Sequence, residues 1–242
     1  METFGDLDRL KPSMSAPWNS SAPALAVFVK TPGLSPVKTR LAAVWGEKKT
    51  LEFYEHCLRC SGELMRRLQT DGWDAGWAVA VADGLRDLRW SEFPAISQGE
   101  SGLGGRIARV IRELRKHRPT AFVIGSDSPQ LRPDHLKQAH TLLERSDVVV
   151  GPADDGGFWL LGSRVDLPEK MMESVAYSEP GTRLELIRTL RKWNPDLLIG
   201  DSLPLLQDVD VEEDAKALIP ELGLETSQRE LAKWLTHHFR PR

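Results

Sequence analysis

The stretch Ala26-Val-Phe-Val-Lys-Thr-Pro-Gly-Leu-Ser-Pro-Val-Lys-Thr-Arg-Leu41 joins a short apolar strand to a long helical pattern. The loop between them contains two prolines and Gly33, and it carries three cations, Lys30, Lys38 and Arg40. Ligands of α/β proteins collect outside the carboxyl ends of the strands. Three cations held at such a position suit a multiply charged anion such as a nucleotide phosphate. They equally suit an ordinary strand-to-helix turn with solvated lysines.

Apolar strands and amphipathic helices alternate along almost the whole chain. Leu25–Val29 and Ala121–Ile124 are continuous apolar runs, which is the pattern of strands covered on both faces. Leu41–Leu68 has helical spacing, with Gly46 and Gly62 as candidate breaks. The alternation predicts an α/β fold with a mostly parallel sheet and helices on both of its faces. The other predicted strands are Trp77–Val81, Ala95–Ser97, Val148–Val150, Phe158–Leu161 and Leu197–Ile199.

The length of 242 residues allows one large domain, and no long linker divides the chain. Residues 1–22 are rich in Ser, Pro and polar groups and are predicted to form a flexible extension. Residues 23–242 are predicted to form a single domain. The sequence does not specify an oligomeric state, because no helix carries a sustained heptad pattern.

The composition of the chain limits the kinds of partner it can bind and the cellular compartment in which it is expected. The net charge of -3 provides no global field for nucleic acid, so an anion site must be a local cluster. The chain has no apolar run of membrane-spanning length and no signal-peptide pattern. Its only cysteines, Cys57 and Cys60, lack a second pair for zinc and are interpreted as reduced, buried thiols. A cytoplasmic location is therefore expected.

Asp127 follows the predicted strand Ala121–Ile124 within Gly125-Ser-Asp-Ser-Pro129. A carboxylate at the tip of a strand is well placed to hold Mg²⁺, which bridges to phosphate oxygens. The alternative is that Asp127 or Ser128 caps the turn that follows.

The segment Val150–Gly162 places two acids and two glycines between two predicted strands. An Asp-Gly pair is all that a plain hairpin turn requires. Glycine is also favoured where a ligand closely approaches the backbone. A ligand site is therefore predicted at Asp154, Asp155, Gly156 and Gly157.

The segment Gln207–Asp214 is strongly acidic. If it is extended, alternation places Asp208 and Asp210 on the same side. Asp210 could then complete a metal site with Asp127. Glu212, Glu213 and Asp214 are predicted to be structural, because negative charge stabilises the first turn of a helix.

A glycine-rich segment, Gln98–Arg106, leads into another predicted helix. Its glycine spacing matches neither a dinucleotide-binding fingerprint nor a P-loop. Backbone amides at this helix start could still meet an anion, with Arg106 nearby.

Taken together, these segments resemble a bacterial family of glycosyltransferase-like proteins in the nucleotide-diphospho-sugar transferase superfamily. Four motifs, in order over residues 24–218, carry the resemblance. They are Lys30-Thr-Pro with Lys38-Thr-Arg-Leu41, Gly125-Ser-Asp-Ser-Pro129, Gly151-Pro-Ala-Asp-Asp-Gly-Gly157 and Asp208-Val-Asp210. The chain also looks related to phospholactate guanylyltransferases and molybdenum-cofactor nucleotidyltransferases.

The resemblance implies the GT-A fold, a three-layer α/β/α sandwich that binds a nucleotide at the strand tips. By this likeness Lys30, Gly33, Lys38, Arg40 and Arg106 would bind phosphates. Asp127 and Asp210 would hold Mg²⁺ or Mn²⁺, and Asp154 to Gly157 would face the sugar or the acceptor. Lys38 and Arg40 would stabilise charge in the reaction, and Asp155 would act as a base if the acceptor is a hydroxyl.

The function expected from these residues is metal-dependent glycosyl or nucleotidyl transfer from a nucleotide or nucleotide-sugar to a small-molecule acceptor. The rival hypothesis is a nucleotide-binding sensor or scaffold without catalysis, favoured by Gly102 standing where the family commonly has Asp. Further departures from the family pattern are Ser35-Pro36 in the first loop, Tyr177 in place of Trp, and Val211-Glu212 in place of Thr-Pro.

Overall fold

The computed structural model of this protein describes residues 22–240. The predicted flexible extension at 1–22 lies, apart from Ala22, outside the described residues. All strands of the described part belong to one seven-stranded sheet with the order β3-β2-β1-β4-β6-β5-β7. The strands are β1 (Ala24–Val29), β2 (Asp74–Val79), β3 (Ala95–Ser97), β4 (Ala121–Gly125), β5 (Val148–Pro152), β6 (Phe158–Ser163) and β7 (Ile199–Gly200).

Strand β6 is antiparallel to both of its neighbours, β4 and β5, and the other four pairings are parallel. The predicted mostly parallel sheet is therefore confirmed. The chain makes β5 and β6 as a hairpin and inserts β6 next to β4. This brings the turn of the hairpin, residues 153–157, to the edge where β1, β2, β4 and β5 end.

The helices agree closely with the sequence pattern, and the structure adds a short helix over Glu169–Glu173 that the pattern did not predict. They are α1 (Thr39–Trp45), α2 (Glu47–Thr70), α3 (Leu103–Arg115), α4 (Pro133–Leu143), α5 (Glu169–Glu173), α6 (Thr182–Trp193), α7 (Glu212–Leu218) and α8 (Thr226–His238). Of the two candidate breaks in the pattern Leu41–Leu68, Gly46 is confirmed, since its φ of 78° ends α1 and begins α2. Gly62 continues α2 without a break.

Helices cover both faces of the sheet. On one face, Leu25 and Val27 of β1 pack with Leu68 of α2 and Leu136 of α4. On the other face, Val123 of β4 packs in a cluster that includes α3 and α6 residues. The three-layer α/β/α sandwich expected from the resemblance is therefore confirmed.

A further layer of helices packs on the outer side of α2. Phe53 and Cys57 of α2 are fully buried against Leu41 of α1 and Leu231 and Leu235 of α8. Each such buried Leu or Phe side chain contributes roughly 1.5–3 kcal/mol to stability. Val209 belongs to the same cluster, so this layer anchors both the start of α1 and the late acidic segment. No helix within residues 22–240 has the length and apolar character needed to cross a membrane.

Candidate functional site

The first loop is fixed where it leaves β1. The Tyr54 hydroxyl accepts a hydrogen bond from the Lys30 amide at 3.0 Å and donates one to the Lys30 carbonyl at 2.9 Å. Burial raises the pKa of Tyr54, which keeps this hydroxyl protonated. Gly33 lies at the exposed tip of the next turn with a φ of 86°. The structure therefore gives Gly33 a conformational role, because a side chain would be strained at this φ.

Lys38 begins α1 with left-handed backbone angles, φ 44° and ψ 50°. Its side chain is only 4% exposed and turns inward, so that Nζ lies 2.7 Å from Oδ1 of Asp127. The same ammonium donates to the Val209 carbonyl at 2.5 Å and lies 3.6 Å from Oδ1 of Asp210. Burial lowers the pKa of Lys38, but the charge of Asp127 and further interactions outweigh it, and the pKa is raised overall. The ammonium is thus charged, lies within hydrogen-bond distance of two oxygen atoms, and has the charge of Asp210 nearby.

The other predicted phosphate-binding cations have different surroundings. Arg40 is exposed and pairs with Asp210, with 3.1 Å between Nη1 and Oδ2. Lys30 is exposed and has no salt bridge to any residue in the range 22–240. Arg106, in the first turn of α3, donates from Nε to the carbonyl of Ser101 at 2.7 Å. Arg106 is therefore bound to its own glycine-rich loop.

The late acidic segment lies across the strand tips. Its Val209 amide donates to the carbonyl of Asp127 at 3.2 Å, next to the end of β4. Asp214 receives the amides of Asp210 at 2.9 Å and Val211 at 2.8 Å, which caps α7. The structural role predicted for Asp214 is confirmed. These bonds, and burial of Val209, bring Asp127 and Asp210 to the same ammonium.

Residues 153–157, the acidic glycine turn, connect β5 to β6 and also form hydrogen bonds with neighbouring segments. Within the turn, Asp155 Oδ1 accepts the Gly157 amide at 2.7 Å. Toward neighbouring segments, the Asp154 amide donates to the Leu206 carbonyl at 3.1 Å, and the Gly156 carbonyl accepts from the Arg183 amide at 3.0 Å. The carboxylates of Asp154 and Asp155 belong to exposed residues. Burial and the neighbouring charge of Asp155 raise the pKa of Asp154.

Asp208 is a site residue that the sequence analysis did not select. Burial raises its pKa to about 6, and the charges of Asp155 and Asp210 act in the same direction. Asp208 therefore lies within electrostatic range of Asp155 in the hairpin turn and of Asp210. The alternation of Asp208-Val-Asp210 around a buried valine was the sequence signal, since Val209 is fully buried and both acids escape the core.

Four carboxylates and two cations meet at this edge of the sheet. Against the effect of burial, the charges of Asp127 and Asp210 raise the pKa of Lys38. Burial and the charges of Asp155, Asp210 and Asp127 raise the pKa of Asp208. Arg40 forms a salt bridge with Asp210. Negative charge is in excess, so the group does not attract a phosphate by itself. It can do so when a further cation is bound.

The donor atoms at this group suit a divalent ion. Among residues 22–240 there is no set of three His, Cys, Asp or Glu side chains arranged to hold a metal. However, Mg²⁺ is commonly bound by one or two carboxylates together with substrate phosphates and waters. Asp127, Asp210 and the carbonyl of Val209 supply oxygen ligands of that kind, so the residues present fit the predicted Mg²⁺ or Mn²⁺.

Comparison with protein families gives a match over the middle of the chain. Residues 61–179 match the model of a family described as uncharacterized protein conserved in bacteria (DUF2064). The matched segment, slightly less than half of the chain, is similar to this family. It contains Asp127 and the acidic glycine turn, whereas the first loop and Asp210 lie outside it. No curated protein matches the chain.

Solved structures support the fold. A protein from Desulfovibrio desulfuricans G20, assigned provisionally as a nucleotide-diphospho-sugar transferase, has 23% identity and a TM-score of 0.77, with 90% of this chain and 95% of that chain covered. The fold expected from the resemblance is thereby confirmed. A CMP:2-keto-3-deoxy-manno-octonic acid synthetase in complex with CTP has 13% identity and a TM-score of 0.48 over 83% of this chain and 99% of the other. Rv0371c from Mycobacterium tuberculosis H37Rv has 13% identity and a TM-score of 0.47, with 82% and 97% covered. These last two similarities are too low to carry an argument.

Proposed function

We propose that this protein is a metal-dependent transferase that uses a nucleotide or nucleotide-sugar as donor and a small molecule as acceptor. The observation that carries the proposal is the excess of carboxylates around Lys38 and Arg40 at the carboxyl ends of the strands. Ligands of open α/β sheets bind at this edge. A polyphosphate fits there only with a divalent cation, because the protein's own charges are net negative.

Asp127 and Asp210 hold Mg²⁺ or Mn²⁺ in this proposal. When bound, the ion neutralises the phosphates of the donor and the charge that develops on the leaving group. The exposed cations Lys30 and Arg40 bind phosphate oxygens from the solvent side. Lys38 and Arg40 stabilise the negative charge that grows during transfer. Arg106 is the predicted further contact near the start of α3.

Two group transfers are compatible with these residues. In nucleotidyl transfer, a phosphorylated acceptor attacks the α-phosphate in line and pyrophosphate leaves. In glycosyl transfer, an acceptor hydroxyl attacks the sugar carbon that bears the nucleotide, and a nucleoside diphosphate leaves. Asp155 accepts the hydroxyl proton in that case, and Asp154, Gly156 and Gly157 line the sugar or acceptor position.

The proposal is tested first by thermal unfolding against a panel of nucleotides and nucleotide-sugars with Mg²⁺, with Mn²⁺ and with EDTA. A ligand at about 100 times its dissociation constant stabilises a protein by roughly 2.7 kcal/mol. We expect a shift for one nucleotide family that disappears in EDTA. If the protein is folded and no nucleotide or nucleotide-sugar of the panel shifts its thermal unfolding, the proposal is contradicted.

Asp127→Asn is the decisive variant, and it should lose the metal-dependent part of the shift. Asp196→Asn is the matched control, since Asp196 is exposed and precedes β7 at the opposite edge of the sheet. Products formed from the active donor, with mixtures of small acceptors, are then separated by mass spectrometry. Pyrophosphate release identifies nucleotidyl transfer and nucleoside diphosphate release identifies glycosyl transfer. Binding without any turnover supports the non-catalytic module instead.

A further inference from the structure

The Lys38 ammonium makes three contacts that share one chemical character. They join Nζ to a carboxylate oxygen of Asp127 at 2.7 Å, to the carbonyl oxygen of Val209 at 2.5 Å, and to a carboxylate oxygen of Asp210 at 3.6 Å. An ammonium has three N–H donors and no acceptor. The oxygens of Asp127 and Val209 therefore take two of its three donors, and Asp210 acts on the ammonium through its charge.

Carboxylate and carbonyl oxygens are also the ligands that hard divalent cations prefer. The atoms that hold the Lys38 ammonium are therefore the atoms that would hold Mg²⁺ or Mn²⁺ at Asp127 and Asp210. Two cations cannot share these oxygens, since like charges at such short separations repel strongly.

The backbone of Lys38 indicates that its inward position is maintained by these contacts. A lysine in the left-handed region is uncommon, and strained backbone angles persist only where surrounding interactions impose them. At the same position the side chain is 4% exposed, although lysine is rarely buried unless it is paired. A lysine released from the carboxylates would regain solvent and could reach a phosphate at the strand tips.

We infer that Lys38 is a built-in competitor of the divalent cation, and that its ammonium becomes available to donor phosphates only after it has left Asp127 and Asp210. This inference rests on the proposed metal site. It makes metal and phosphate binding cooperative, because a phosphate offers the displaced ammonium a new partner. By linkage the coupling is reciprocal, so that metal strengthens phosphate binding by the same factor.

The test is Mn²⁺ binding in the absence of nucleotide, measured by electron paramagnetic resonance of free Mn²⁺. Lys38→Met keeps the length of the side chain and removes its charge. Its Mn²⁺ dissociation constant should be lower than that of the wild type by about tenfold or more, in the range usual for coupling between sites. Lys38→Gly, which suits the left-handed backbone, replaces the methionine variant if that variant does not fold.

Lys30→Met is the matched control. It removes the same charge from the same loop, but Lys30 forms no salt bridge with other residues of the described range. We expect it to change the Mn²⁺ dissociation constant by less than about threefold, which is the effect of a screened charge at a distance. An equal gain in both variants would overturn the inference, since it would reflect the general field of the loop.

A second measurement uses the wild type. Lysine acetylation, followed by peptide mass spectrometry, should modify Lys38 slowly in EDTA, faster with Mn²⁺ alone, and slowly again with Mn²⁺ and inorganic pyrophosphate. Unchanged reactivity of Lys38 at saturating Mn²⁺ would overturn the inference.

The outcomes separate this inference from the proposed function. If Lys38→Met gains Mn²⁺ affinity but no nucleotide of the panel stabilises the wild type, the competition holds and the transferase proposal fails. If Lys38→Met binds Mn²⁺ no better than the wild type while a nucleotide shows a metal-dependent shift, the competition fails and the transferase proposal stands. If neither protein binds Mn²⁺ and no nucleotide of the panel gives a metal-dependent shift, both fail.

Discussion

The Lys38 ammonium and the Asp127 carboxylate lie 2.7 Å apart but differ sharply in exposure, with 4% of the Lys38 side chain and 47% of the Asp127 side chain accessible to solvent. The lysine depends on its partner for the solvation that it has lost. The aspartate keeps water on its other side. The two partners are therefore not equivalent in stability, although they form one salt bridge.

Removing Asp127 should cost more stability than removing the charge of Lys38. Asp127→Asn leaves a buried ammonium with only a distant carboxylate and a carbonyl, and we expect a loss of about 2–3 kcal/mol, below the roughly 3–5 kcal/mol for fully buried pairs because Asp127 is half-exposed. Lys38→Met leaves carboxylates that water can reach, and we expect a loss of about 1 kcal/mol. Urea unfolding measures both. The opposite order would mean that Lys38 is not buried in solution.

Asp208 makes stability depend on pH. Its pKa is raised to about 6 in the folded protein, against roughly 4 for an ordinary aspartate. Between these values the folded state binds more protons than the unfolded state, so the free energy of unfolding falls as pH rises through this window. Asp208→Asn should therefore be more stable than the wild type at pH 7, by about 1 kcal/mol after allowance for solvent screening.

This advantage of Asp208→Asn should shrink as pH falls toward 4 and disappear below it, where Asp208 is protonated in both states. Urea titrations at pH 4, 5, 6 and 7 measure it. The control Asp196→Asn should differ from the wild type by an amount that does not change over the same range. A pH-independent difference for Asp208→Asn would show that its carboxyl titrates normally.

Gly102 should accept an aspartate with a gain in stability. Gly102 is the N-cap of α3 without a side-chain cap, its φ is -60°, and a Cβ there would meet no atom within 4 Å. An Asp at this position can accept an amide of the first turn and interact favourably with the helix dipole, which should add about 0.5 kcal/mol. Gly102→Ala has the same backbone effect without the cap and should not stabilise. Thermal unfolding compares the two, and equal changes would exclude capping.

Alanine substitutions at Gly156 and Gly181 distinguish the energetic cost of backbone strain from the cost of a steric clash. Both have positive φ, 88° and 95°, but a Cβ on Gly156 would lie 2.7 Å from the Gly181 amide nitrogen, whereas one on Gly181 would meet nothing within 4 Å. Gly181→Ala should cost about 1 kcal/mol from the left-handed backbone alone. Gly156→Ala should cost about 2–3 kcal/mol, because the hairpin turn must also move away from α6. Equal losses in chemical denaturation would show that this contact is loose.

Much of the site could be predicted from local sequence. Asp127 was placed at a strand tip because a buried apolar run ends directly before it, and β4 does end at Gly125. A structural role for Asp214 was predicted from negative charge at the start of a helical pattern, and the structure shows that Asp214 also caps α7. Gly46 and Gly62 were equally good candidate breaks, and only Gly46 interrupts the helix. The difference is tertiary, since Gly62 lies buried against Phe93 within α2.

The sequence by itself determined the alternation of strands and helices, the two-sided burial of the sheet and the chemistry available at its carboxyl edge, because these depend on residue types and periodicities within short segments. Only the tertiary structure decided that β6 runs antiparallel between β4 and β5, that Lys38 turns inward to Asp127 and Asp210, and that Asp208 lies among other acids. Each of these depends on pairing between segments far apart in the chain. Such pairing is set by packing of the whole core and leaves no local pattern in the sequence.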